Sequence, residues 1–274
     1  MKKTVFFLSL MFAQVVHAQT LKEAIAMTDN EQYEIAGDMF KSLLQKEPAN
    51  GTNWFYYGEN YFKSDNLDSA AIAYSKGLQA EPGNPINLVG TGKIKLEKGL
   101  NSEARADFDK ALTMSGSKTS LVQSEVAESF IRTKNKDLSY AIKLLNNAIA
   151  VDSKNAELYI LLGDAYSEQN NGTLAAENYN RALDLDKKAV KAIVQKGVLY
   201  KRSTNYEGAA AEFQSAIKLN PDFAPSYREL AETYFKMRKL EDAKQSYRKY
   251  LELSKNNSMA RMRYASFLFM SGDY

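Results

Sequence analysis

The run Val89, Gly90, Thr91, Gly92, Lys93 and Ile94 has glycines and a lysine of the kind that cradle phosphate through backbone N–H groups. Ile94 stands where a Ser or Thr would reach a magnesium ion, and no strand-like segment precedes the run, so nucleotide binding is not expected. Acid-base chemistry needs two carboxylates held together, and Glu241 with Asp242 or Glu157 with Asp164 are the candidates. On helical faces such pairs read more simply as solvated surface charge, and no catalytic residue is assigned. The aromatic cluster Trp54, Phe55, Tyr56 and Tyr57 could present a sugar platform or could be core. Asn50-Gly51-Thr52 and Asn171-Gly172-Thr173 match the N-glycosylation pattern.

What is missing bounds the chemistry further. The 274 residues contain no Cys and one His, which excludes disulfides, thiolate zinc sites and cysteine nucleophiles. That histidine, His17, falls in a segment with the form of an export signal. Lys2 and Lys3 give a positive start, Val5 to Val16 is mostly apolar, and Val16, His17 and Ala18 supply a small-x-small cleavage pattern. Cleavage after Ala18 makes residues 1–18 a signal peptide, and the remaining chain then has neither His nor Cys. The apolar run is too short for the roughly 20 residues of a spanning helix. Losing Lys2 and Lys3 reduces the 36 basic side chains to 34 against 33 acidic ones. A nearly neutral chain has no counterion-release drive towards nucleic acid. No metal or cofactor is expected.

Self-comparison gives the elements that position all these residues. A small residue recurs at Ala24, Gly58, Gly92, Ala127, Gly163, Gly197, Ala231 and Ala265. It is followed by Ala36, Ala70, Ala104, Ala141, Ala175, Ala209 and Ala243, and four residues beyond each by Phe40, Tyr74, Phe108, Leu145, Tyr179, Phe213 and Tyr247. Apolar residues within each unit keep helical spacing, so each unit is two short helices. The small residues let the two helices approach and the large one fills the space beyond. One pair cannot bury its apolar face alone, so the pairs must stack. Polar turns at 63–66, 168–172 and 202–205 separate the helices of a pair, and Pro48, Pro82 and Pro221 end second helices.

On these positions the chain resembles the tetratricopeptide repeat (TPR) family. Trp54, Tyr57, Gly58, Tyr61, Ala70, Tyr74, Leu78 and Pro82 stand at that family's signature spacings. The resemblance implies an all-α fold: a right-handed superhelical solenoid of stacked antiparallel helix pairs. About seven and a half TPR units fill residues 19–274, with starts near 17, 51, 85, 120, 156, 190, 224 and 258. Glu23, Lys95 and Lys196 depart from the apolar or aromatic residues usual at their positions. The fourth unit has two extra residues near 134–138, where a bend or bulge is expected. The last unit stops at Tyr274, which is expected to expose Tyr264, Phe267 and Leu268. Either the chain continues or that end docks something, and the need for a capping helix favours continuation.

In the family resembled, the first helix of each pair lines a concave groove that holds a partner segment. Its inward positions project here onto Phe55, Glu59, Phe62, Lys93, Asp164, Lys191, Lys201, Arg202, Arg228, Glu232 and Phe235. Opposite charges on neighbouring units, such as Glu157, Asp164 and Glu168 beside Lys191, Lys201 and Arg202, could grip a partner or simply neutralise each other. The expected function is a non-enzymatic scaffold that binds a protein or peptide in the cell envelope, periplasmic or associated with the outer membrane. The alternative is a periplasmic sensor or interaction module of a longer membrane-bound signalling protein.

Overall fold

The computed structural model describes residues 20–116 and 119–272. The expected signal peptide, residues 1–18, lies outside the described residues. All regular elements among the described residues are helices, and they follow one another as hairpins. Helix α1 covers 20–29 and pairs with α2 (Tyr33–Lys46). The next pairs are α3 (Gly51–Lys63) with α4 (Leu67–Ala80) and α5 (Ile86–Glu97) with α6 (Asn101–Met114). Then come α7 (Thr119–Arg132) with α8 (Leu138–Val151) and α9 (Ala156–Glu168) with α10 (Gly172–Leu185). The last pairs are α11 (Val190–Arg202) with α12 (Tyr206–Leu219) and α13 (Ala224–Lys236) with α14 (Leu240–Leu253), and α15 (Ser258–Ser271) follows alone.

Small residues decide how closely the hairpins pack. A Cβ added at Gly163 would stand 2.4 Å from the Tyr179 ring, and one at Gly197 the same distance from the Phe213 ring. Ala36, Ala70, Ala104, Ala141, Ala175, Ala209 and Ala243 are completely buried, and the large residues four positions on are buried with them. From α3 to α13, first helices touch the first helices of neighbouring units, whereas second helices pack mainly on first helices, with Arg105 of α6 over the Tyr140 ring of α8 a contact between second helices. First helices therefore crowd the inner side of the curve and second helices fan over the outside.

Caps fix the ends of the hairpins. Asn50, Asn66, Asn155, Asn171, Asn205 and Asn257 each accept a backbone N–H of the following first turn, satisfying a donor that the helix leaves open. Asn50 and Asn171 of the two glycosylation patterns are thus both spent as caps. Tight turns between paired helices place Glu31, Asp65, Gly99, Asn170, Thr204 and Arg238 in the left-handed region. The fourth unit has five residues between α7 and α8 where its neighbours have three. Its extra length is used for contacts: Asn135 donates to the Leu96 carbonyl at 2.6 Å and Lys136 pairs with Glu168.

Two departures from the family pattern become ion pairs. Lys95 lies 2.9 Å from Asp107 and Lys196 lies 3.4 Å from Glu212, each reaching the second helix of its own unit. At the C-terminal end the expected apolar surface is corrected. Phe267 is 1% exposed, packed between Phe235 and Tyr247, and Tyr264 and Leu268 are only partly exposed. Met262, Phe269 and Met270 face outward instead, beside an exposed Ala265. In the earlier units this small residue is buried against a second helix.

Candidate functional site

The inner surface is laced with ion pairs, and many join residues one repeat apart. Lys93 meets both oxygens of Glu59 at 2.8 Å, and Lys63 meets Asp29 at 2.9 Å. Lys191 meets Glu157 at 3.1 Å, and Arg202 pairs with Glu168. A stack of equivalent units puts residue i beside residue i+34, so an acid in one unit and a base at the same place in the next are neighbours. Arg132 departs from this rule: it reaches Asp164, one helical turn before its equivalent Glu168, which Lys136 of the longer turn takes instead.

The charges at the projected inward positions are paired within the protein. Asp164 accepts from Arg132, from the Tyr179 hydroxyl at 2.8 Å and from Gln195 at 2.7 Å. Lys201 pairs with Glu229 and Glu232, and Arg202 also donates to the carbonyl and hydroxyl of Ser167. Glu232 holds Lys201 at 2.9 Å and Arg263 at 3.5 Å, and Phe235 stacks edge-on against Phe267. Phe55 is fully buried against Ala70, Tyr74 and Ile86. Phe55, Asp164, Lys201, Arg202, Glu232 and Phe235 therefore serve contacts between helices. Glu59, Phe62, Lys93, Lys191 and Arg228 line the interior.

Glycine and lysine in the Gly90 to Lys93 run lie inside α5, and Lys93 is 1% exposed and bound to Glu59, so no phosphate loop forms. Trp54 donates its indole N–H to the Pro48 carbonyl at 2.9 Å and carries Lys76 over its ring. Glu157 and Asp164 are held in separate ion pairs, and Glu241 and Asp242 are exposed in the first turn of α14.

Closure of the curve was not legible in the repeat pattern. Asp29 lies 2.8 Å from Lys191, and Glu31 lies 3.2 Å from Arg228. The Tyr250 hydroxyl donates to the other oxygen of Glu31, and Asn257 donates to its backbone carbonyl at 3.1 Å. Asn256 adds a hydrogen bond to Glu34 at 2.7 Å. The first hairpin is thereby latched to α11, α13, α14 and the turn before α15. What would have been an open trough becomes a chamber of about 540 Å³ lined from each of the seven first helices α1 to α13.

Charge inside the chamber is strongly coupled. Burial disfavours ionised Asp29, but Lys63 and Lys191 outweigh it and hold the carboxyl at about 2. Glu128 is likewise buried, and Lys93, Lys63 and Arg132 hold it at about 2. Glu125 goes the other way, pushed up to about 8 by burial and by the charges of Glu128 and Glu59. Its Oε2 is enclosed and has no hydrogen-bond partner. The sequence reading missed Asp29, Lys63, Glu125 and Glu128. The first two sit at the 34-residue spacing and could have been found by it, whereas nothing local marks Glu125. No group of three or more His, Cys, Asp or Glu that could hold a metal ion occurs among the described residues.

A stack of helix hairpins whose first helices share an inner cavity defines an α-solenoid. Models described as tetratricopeptide repeat match residues 21–85 and 131–190, 190–223, and 212–245, together more than half of the chain, so the chain belongs to the tetratricopeptide repeat family. A tetratricopeptide repeat protein from Parabacteroides merdae ATCC 43184 is similar in structure, with a TM-score of 0.60 and 15% identity over 92% of this chain and 98% of that one. A chain of the APC/C hetero-tetramer Cut9-Hcn1 is similar with a TM-score of 0.53 and 17% identity over 89% of this chain. This chain covers 48% of that one, about half its length. No curated protein matches the chain. Tetratricopeptide repeats generally mediate protein–protein interaction, and the fold is typically a non-catalytic scaffold. No helix among the described residues is long and apolar enough to cross a membrane.

Proposed function

We propose that the protein is a non-enzymatic interaction scaffold of the bacterial cell envelope that holds a segment of a partner protein in the chamber. The observation that carries this reading is the convergence of the seven first helices from α1 to α13 on one cavity of about 540 Å³, within the range of sites for small ligands and short peptides. Apolar side chains such as Phe62, Leu121 and Ile160 supply contact area there, while most charges are already spoken for. A cavity of this size suits a few extended residues and not a folded domain. Export rests on the signal-like sequence of residues 1–18 and is part of the proposal.

A photoreactive amino acid at Phe62 or Leu121, introduced in cells, tests the interior. The expected adduct joins both positions to the same short segment of one envelope protein, with no adduct from Glu241 on the outer surface. Adducts from Glu241 alone would overturn the interior reading. Recovery of the full-length chain from the cytoplasm with residues 1–18 intact would overturn the envelope location.

A further inference from the structure

Among the side chains that line the chamber, the carboxylates are Asp29, Glu59, Glu125, Glu128, Glu157 and Glu229, and the cations are Lys63, Lys93, Arg132, Lys191 and Arg228. Five of the six acids have an ion-pair partner. Asp29 has Lys63 and Lys191, Glu59 has Lys93, Glu128 has Arg132 at 3.6 Å, Glu157 has Lys191, and Glu229 has Arg228 and Lys201. Among the described residues Glu125 has none.

The odd carboxyl has its own recess. A cavity of about 40 Å³ adjoins the chamber, bounded by Ile25 and Thr28 of α1, Phe40 of α2, Tyr56, Glu59 and Lys63 of α3, and Glu125 and Glu128 of α7. That volume holds one water-sized group, and an enclosed carboxylate oxygen without a partner is costly. A primary ammonium has the size and the three donors for this place. Its charge gives Glu125 the counter-ion it lacks, and Leu121 and Phe62 in the adjoining chamber offer an apolar wall for an aliphatic stem.

We infer that the recess at Glu125 receives the ammonium group of a lysine side chain on the segment that enters the chamber, an inference that rests on the interior-binding reading above. Entry of the ammonium displaces the proton of Glu125 to solvent, so one cation replaces one proton. Groups facing Glu125 are Tyr56, Glu59 and Lys63 on α3, Lys93 on α5 and Glu128 on α7. Lys63 repels the guest, but it is engaged by Asp29, and Glu59 and Glu128 attract it.

The test is calorimetric titration of the full chain with acetyl-glycyl-lysyl-glycinamide at pH 7 in phosphate and in Tris. Binding should release close to one proton per peptide, read from the difference between the two buffers, and should tighten as pH rises towards 8. Glu125→Gln should weaken it at least tenfold, and the norleucine peptide, which has a similar stem without the ammonium, should not bind measurably. Glu125→Gln folding is checked by its unfolding midpoint, and Glu128→Gln provides a second variant expected to weaken binding. Equal binding of the norleucine peptide, unchanged affinity of Glu125→Gln, or no binding of the lysine peptide would overturn the inference. Triglycine with a free terminus binding as well as the lysine peptide would overturn the choice of a lysine side chain. The Phe62 crosslink keeps the two readings apart: a partner captured there while the lysine peptide fails removes this inference and leaves the interior-binding reading standing.

Discussion

Lys93 shows what a buried charge does in this protein. The side chain is nearly inaccessible, yet it remains a cation because Glu59 binds it through both oxygens, and the Tyr74 hydroxyl donates to Glu59 as well. Removing one partner strands the other in a medium that solvates charge poorly. Lys93→Met should therefore cost about 3–5 kcal/mol in denaturant unfolding at pH 7. Lys93→Met with Glu59→Gln should recover more than half of that, because the glutamine can still accept from Tyr74. Glu125 carries the opposite lesson. Its carboxyl is raised to about 8 from an ordinary 4.5, so the native state holds a proton that the unfolded chain releases. Stability must then fall as pH rises from about 5 to 8. Glu125→Gln should flatten that slope and be the more stable protein at pH 8, as read by its urea midpoint.

Each hairpin depends on the absence of a methyl group. Glycine inside a helix ordinarily costs about 0.5–1 kcal/mol relative to alanine, so Gly→Ala in α9 would stabilise an isolated helix. At Gly163 the sign reverses, because the new Cβ would lie 2.4 Å from the Tyr179 ring, which is itself fixed by Asp164. Gly163→Ala should lose about 1–3 kcal/mol, and Gly163→Ala with Tyr179→Leu should lose less than the two single changes together. Helix positions, caps and the small-to-large contact were legible because they recur in every unit at a fixed spacing. The far surface of α15 was misread for a reason of geometry. Phe267 was assigned to an open face, but it turns back onto Phe235 and Tyr247 of the seventh unit, leaving Phe269 and Met270 outward.

Closure belongs to the whole molecule. Asp29 and Glu31 bind Lys191 and Arg228 across the curve, and these side chains are only partly exposed, so salt weakens but does not abolish the contact. Asp29→Asn with Glu31→Gln should raise the radius of gyration measured by small-angle scattering, with helical content unchanged. An unchanged radius would show that packing alone holds the curve shut. Acid gives an independent measure. Asp29 is lowered from 3.8 to about 2, so its contribution is present above about pH 4 and is lost as pH falls towards 2. The wild type should expand in that window while retaining helix, and the double variant should lack the step.

The sequence by itself determined the repeat and the hairpins, because a 34-residue period repeats the same local contacts, and the inner place of the first helices followed from the family it resembles. It also contained the Lys63–Asp29, Lys93–Glu59 and Lys191–Glu157 pairs, since equal units stack equal positions. Projection onto the family's inward positions named Glu59, Phe62 and Lys93, which line the chamber, together with Phe55, which the next hairpin covers. Only the tertiary structure decided that Glu31 meets Arg228 and that Glu125 is left without a counter-charge. Those facts depend on the small rotation between units summed along the stack, and no single repeat carries that sum.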